Sequence, residues 1–257
     1  MKPLPPVLAV GVILVVVLGL PFGLYALLSR GRRKILKEIK EEAARRGWEF
    51  RKVGWMGDPT AFRIAGWDQA GRAWTLKSVS AGEANHGWSV RVRLRFPKLA
   101  GDVDVAVIPR DAGGRKADIT APHFSRQAQT RLAAFSGTAA SAFGFLENAQ
   151  ETPSNLPEFD SAYHVLGQGH FQTPIDSALA DRMMHWPADT VAAHSILAWR
   201  DPFGVHFEAR LPRTPNWATI NYLVSLAGDF CGRLPPPVTS PTRRGFVDRL
   251  LAPFLRS

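Results

Sequence analysis

Val7 to Leu28 is a run of 22 residues without a charge. A helix of that length spans roughly 33 Å, which matches the hydrocarbon core of a bilayer. The segment therefore predicts a single transmembrane helix and places the rest of the chain beside one membrane face. Pro5 and Pro6 suit the first turn, where a missing N–H costs little, and Pro21 predicts a kink. A cleaved signal peptide would carry a shorter apolar stretch ending in small residues. This one ends in Tyr25-Ala26-Leu27-Leu28-Ser29-Arg30 and reads as an uncleaved anchor.

The flanks orient it. Lys2 stands alone before the span, whereas Arg30, Arg32, Arg33, Lys34, Lys37 and Lys40 follow it. The positive-inside rule puts that cluster in the cytoplasm and the short tail 1–6 outside, a single-pass arrangement. Arg30, Arg32, Arg33, Lys34 and Lys37 are also the candidate contacts to anionic lipid headgroups, each worth about 1 kcal/mol near the surface.

The net charge of +10 would suggest nucleic acid until it is located. Residues 1–52 hold 11 Lys/Arg and 4 Glu, and residues 243–257 hold four Arg and one Asp. Residues 53–242 hold 17 of each sign. The excess belongs to the flanks, so no nucleic-acid partner is expected. One cysteine, Cys231, leaves neither a disulfide nor a zinc-binding pair.

Beyond the anchor, residues 29–47 read as a basic juxtamembrane helix, with Ile35, Leu36 and Ile39 on one face and Gly47 ending it. A strand-rich block follows over 48–147. Its strands are expected at Trp48–Val53, Ala61–Ala65, Ala73–Val79, Trp88–Phe96 and Val103–Pro109. The last two alternate cleanly and are expected to form a hairpin in which Arg95 faces Asp102 and Arg93 faces Asp104. Residues 126–147 are Ala-rich and read as helix, and 148–158 as linker. A second block, 158–233, reads strand–helix–hairpin–helix. Ala162–Leu166 is the strand. Thr173, as N-cap before Pro174, opens a helix to about His185. His194–Trp199 and Val205–Leu211 pair across Asp201-Pro202-Phe203-Gly204, and Pro215–Arg233 is a helix with Ile220, Leu223, Val224, Ala227 and Cys231 on one face. Residues 234–257 are a Pro-rich linker and a short amphipathic helix over 243–252, of the composition found at membrane surfaces or packed on a domain. The fold class is α+β: a transmembrane helix, then a soluble antiparallel sheet with helices packed on it.

Chemistry is sparse. His86, His123, His164, His170, His185, His194 and His206 show no i, i+4 pair. A turn near Phe203 would set His206 opposite about Ala198, not His194. No nucleophile elbow, P-loop or dinucleotide fingerprint occurs, and Cys231 lies on an apolar helix face. No cofactor and no metal is expected. Trp48, Trp55, Trp67, Trp74 and Trp88 crowd into 41 residues. They are the candidate binding surface for a sugar or partner peptide; such residues also fill the core of a small sheet.

The segment Phe159-Asp160-x-x-Tyr163-x-Val165, with the helix, hairpin and closing helix after it, resembles an uncharacterised bacterial family of membrane-anchored proteins of the DUF type. Arg46-Gly47-Trp48 and Ile64-Ala65-Gly66 are similar to its opening strands. The resemblance covers roughly 40–233 and implies architecture and bacterial origin, which would make the membrane a bacterial inner (cytoplasmic) membrane; it implies no activity. The expected function is a membrane-tethered cytoplasmic scaffold or adaptor, whose partners are the bilayer and a membrane or cytoplasmic protein. The alternative is a membrane-anchored hydrolase or small-ligand binder whose site is assembled from dispersed residues, with His164, His170, His194 and His206 the first to test.

Overall fold

The computed structural model describes residues 30–53, 61–81, 89–99, 105–110, 149–167, 173–185, 196–201 and 203–234, together with the single positions 129, 133 and 143. The expected span 7–28, the tail before it, Trp55, Trp88 and the C-terminal amphipathic helix lie outside the described residues, as does most of 126–147. Among the described residues no helix is long and apolar enough to cross a membrane.

The described residues are α+β, built on one antiparallel nine-stranded sheet. Helix α1 (30–45) buries Leu36, Ile39 and Ala43. Gly47, at φ +68°, reverses the chain into the sheet, a conformation glycine adopts without strain. The strands are β1 (Glu49–Lys52), β2 (Phe62–Trp67), β3 (Ala73–Ala81), β4 (Ser89–Phe96), β5 (Val105–Pro109), β6 (Gln150–Glu151), β7 (Tyr163–Gly167), β8 (Ile196–Asp201) and β9 (Gly204–Leu211). Helix α2 (Pro157–Ala162) precedes β7, α3 (Ser177–Met184) follows it, and α4 (Trp217–Arg233) follows β9. Strand order is β1-β2-β3-β4-β9-β8-β5-β7-β6, so both sequence blocks contribute to one sheet.

Strand alternation sorts the sheet into two faces. On the first, Phe62, Ile64, Trp74, Leu76, Val92, Leu94, Phe96, Phe207 and Ala209 form one cluster with Ile220, Leu223, Ala227 and Phe230 of α4 and with Ile39 and Ala43 of α1. Phe207 meets Phe230 edge-on, ring centres 5.1 Å apart. The helices cover this face because each presents an apolar stripe that water would otherwise hydrate.

Three expectations are corrected. The β4–β5 hairpin does not form: β4 pairs with β3 and β9, and β5 with β7 and β8. Arg93 therefore stands opposite Glu208 and Arg95 opposite His206, while Asp102 and Asp104 lie outside the described residues. β5 is buried at every position, and a strand with two covered faces belongs inside a sheet, with neighbours on both sides. The second correction is a cap. Asp176, not Thr173, caps α3, its carboxylate accepting from the Leu179 N–H at 2.8 Å. Thr173 instead caps the preceding turn, through Oγ1 to the Ile175 N–H. The third is register. The β8–β9 hairpin closes between Asp201 and Gly204, so His206 faces Trp199 rather than Ala198. Gly204 sits at φ +142°, and a Cβ there would lie 2.5 Å from the Phe96 carbonyl oxygen. Only glycine allows β9 this approach to β4.

Asn216 caps α4, accepting from the Thr219 N–H at 2.8 Å and from the Thr219 hydroxyl at 2.9 Å. Asn216→Ala is expected to lower stability by about 1 kcal/mol, read as a shifted denaturant midpoint at unchanged slope.

Candidate anion-binding face

Among the described residues, Trp48, Trp67 and Trp74 do not share one exposed surface. Trp74 is in the core at 1% exposure. Trp48 is half-buried against it, edge to face with ring centres 4.7 Å apart, and tilts against Trp217 at 5.3 Å. Arg46 lies over both Trp48 and Trp217 and donates to Asn221 Oδ1 at 2.8 Å, which ties α1 to α4. Gly66 makes room for this stack, since a Cβ there would lie 2.6 Å from the Trp48 ring. Trp67 alone of the described three is exposed, at 59%.

The histidines are engaged separately. His164 is buried, its Nδ1 2.9 Å from Glu151 Oε1 and its Nε2 3.3 Å from Arg110 Nη1. Arg110 can only donate, so Nε2 accepts and Nδ1–H donates to Glu151: a neutral ring. Burial holds its pKa below the ordinary value, and the Arg110 charge adds to that against the pull of Glu151. His206 stacks on Trp199 and places Nε2 3.1 Å from Asp201 Oδ1. Asp201 also accepts from the Phe203 N–H and the Trp199 indole. Burial pushes this carboxyl up, but the His206, Phe203 and Trp199 hydrogen bonds outweigh it and hold it below the ordinary value. The network staples the β8–β9 turn. β8 and β5 separate the strands of His206 and His164, a spacing of about 14 Å. His185 is exposed beside Asp181; His86, His123, His170 and His194 lie outside the described residues. The Cys231 thiol is buried, and burial pushes its pKa up to about 12, so it is a structural thiol. Among the described residues no cluster of His, Cys, Asp or Glu could hold a metal ion.

What the register assembles is a field of cations on the sheet's second face. Arg51 of β1 stands directly opposite Arg63 of β2, Arg63 opposite Lys77 of β3, and Lys77 opposite Arg93 of β4. Arg91 of β4 faces Arg210 of β9. Arg95 belongs to the same side, between Thr75 and His206. Arg51, Arg63 and Lys77 are exposed, the others half-buried. Like charges directly opposite across strands destabilise a sheet, and here four such pairs recur over five strands. Glu49 relieves Arg51 through a 2.5 Å ion pair. Among the described residues no carboxylate pairs with Arg63 or Lys77. A shallow polar pocket of about 190 Å³ opens between Glu49, Arg51, Arg63 and Ala65.

Glu208 anchors the inner end of the row. It is fully buried, with Oε2 3.1 Å from Arg93 Nε. Arg91 Nε stands 3.2 Å from Oε1 but off the line of a hydrogen bond. Burial raises the Glu208 pKa to about 7 against the pull of Arg93, Arg91 and Arg210. Near neutral pH it is only partly ionised and only partly offsets its arginines.

Net charge concealed this face. Residues 53–242 balance to zero, yet Arg63, Lys77, Arg91, Arg93, Arg95 and Arg210 share one side. The inference that the basic charge lies only in the flanks is corrected accordingly. Arg91-x-Arg93-x-Arg95 was the visible part of the signal; the rest needed the register. Arg30, Arg32, Arg33, Lys34 and Lys37 are exposed along α1. Arg63→Glu is expected to stabilise the domain by about 1 kcal/mol at low salt, an increment that high salt removes. Melting curves at two ionic strengths check it.

No family model matches this chain, and no curated protein matches it. Among solved structures, the crystal structure of the mycobacterial trehalose monomycolate transport factor A aligns with 79% of this chain and 98% of that one, at 13% identity and a TM-score of 0.37.

Proposed function

We propose that this chain is a single-span, membrane-tethered adaptor that presents its α+β domain at the cytoplasmic leaflet and engages an anionic surface through the second face of its sheet. The observation that carries this reading is the row Arg51–Arg63–Lys77–Arg93, four cations set side by side across four strands. Such a row costs folding energy and gains it back when an anion arrives. The uncharged run 7–28 and the basic cluster after it support the tether and its orientation. Confinement to two dimensions raises the domain's effective concentration towards everything else at that membrane.

Protease protection of the full-length protein in spheroplasts tests the tether. The expected result is a domain of uncleaved length, protected in intact spheroplasts and digested after lysis. Digestion in intact spheroplasts would place the domain on the other side and overturn the cytoplasmic adaptor.

A further inference from the structure

The three exposed large apolar side chains among the described residues gather where the cations are. They are Trp67 at 59%, Phe203 at 59% and Val53 at 43%. Trp67 is two positions along β2 from Ala65, which stands opposite Thr75 beside the cation row, so its ring is on the second face. Val53 continues the alternation of Arg51. Phe203 sits in the β8–β9 turn, where its carbonyl accepts from Arg95 Nη2 at 2.9 Å. Lys98 places its ammonium 5.9 Å from the Trp67 ring centre. Cations set among exposed tryptophan and phenylalanine are the composition of a surface that lies on a bilayer: ammonium and guanidinium groups meet phosphates while the rings enter the interfacial zone. An acidic protein or a single-stranded nucleic acid would use the same rings; the bilayer is the occupant favoured here because the uncharged run 7–28 and the basic cluster after it hold the domain beside it.

We propose that the second face of the sheet docks on the anionic lipid headgroups of the membrane, with Arg51, Arg63, Lys77 and Arg93 facing the phosphates and Trp67 and Phe203 at the interface. This rests on the reading of the face as anion-binding and names its ligand. It adds a second lipid contact, independent of the juxtamembrane cluster, and makes the domain lie flat on the bilayer instead of standing off it.

The test uses full-length protein in nanodiscs with a fluorophore on Gln69→Cys, an exposed position in the turn after Trp67. Cys231 is buried and escapes labelling. Quenchers are carried on the lipids, and discs contain either phosphatidylglycerol with phosphatidylcholine or phosphatidylcholine alone. The expected result is quenching in the anionic discs that falls severalfold at high salt and is near baseline in neutral discs. Arg63→Glu with Lys77→Glu is expected to weaken it about tenfold, and Trp67→Ala severalfold, with both variants folded by circular dichroism. Equal quenching in neutral and anionic discs, or none in either, overturns the proposal. Protection of the label by polyglutamate or by a single-stranded oligonucleotide, with no lipid quenching, also overturns it but upholds an anion-binding face. If the double reversal leaves every anion's effect unchanged, the face reading fails as well.

Discussion

The melting temperature of the protein is expected to fall as pH rises through the window from 4.5 to about 7, and Glu208→Gln is expected to remove that fall. Glu208 titrates near 4.5 when unfolded and at about 7 in the folded domain. Between those values the folded state holds a proton that the unfolded state has released. Its contribution is therefore complete below 4.5 and is lost as pH climbs through 7. The size is up to about 3 kcal/mol, reduced by whatever relaxation the Arg91 and Arg93 guanidiniums allow. Glutamine copies the neutral form and should hold stability level across the window. His164 works in the other direction, since a buried neutral ring loses stability as pH falls through 6.5. The difference between wild type and Glu208→Gln isolates the carboxyl. Parallel pH profiles for the two proteins would show that burial does not dominate at Glu208.

Phe207→Ala is expected to be the most damaging single truncation, costing about 3–5 kcal/mol. Phe207 is 1% exposed on β9, a central strand, and its ring fills the space between Leu94 of the neighbouring strand and Phe230 of α4. Truncation removes the transfer energy of the ring and leaves a cavity where the main helix meets the sheet. Chemical denaturation in mild detergent checks it. A loss under about 1 kcal/mol would mean that α4 collapses onto the gap and the interface is less tightly packed than described.

Local pattern read well. The first four strands were legible within one or two residues, because alternation over five to nine residues bounded by Gly or Asp turns is a local signal. The face of α4 was legible too: Ile220, Leu223, Val224, Ala227 and Cys231 are all buried. What failed was long range. β4 and β5 have matched alternation and complementary charge and could have paired, but β8 and β9, a hundred residues later, take the places beside them. Nothing within 89–109 encodes that insertion. The same holds for the candidate site. Arg51, Arg63 and Lys77 are isolated cations in three strands, and Glu208 reads as an ordinary polar position of a hairpin. They become a row only once the register sets them side by side. Nearness in sequence did not tell which of the described tryptophans would be exposed: Trp74 is in the core with Trp48 packed against it, and Trp67 is at the surface.

Lysine acylation footprinting of intact membranes carrying the full-length protein shows whether the cationic face is the docking face. Lys77 and Lys52 are both exposed and lie on opposite alternations of the sheet: Lys77 in the cation row, Lys52 opposite Phe62. Lys77 is expected to react severalfold more slowly in the membrane than in detergent at high salt, while Lys52 changes little. Equal reactivity of Lys77 in both conditions would mean that the face is not engaged and would overturn docking through it.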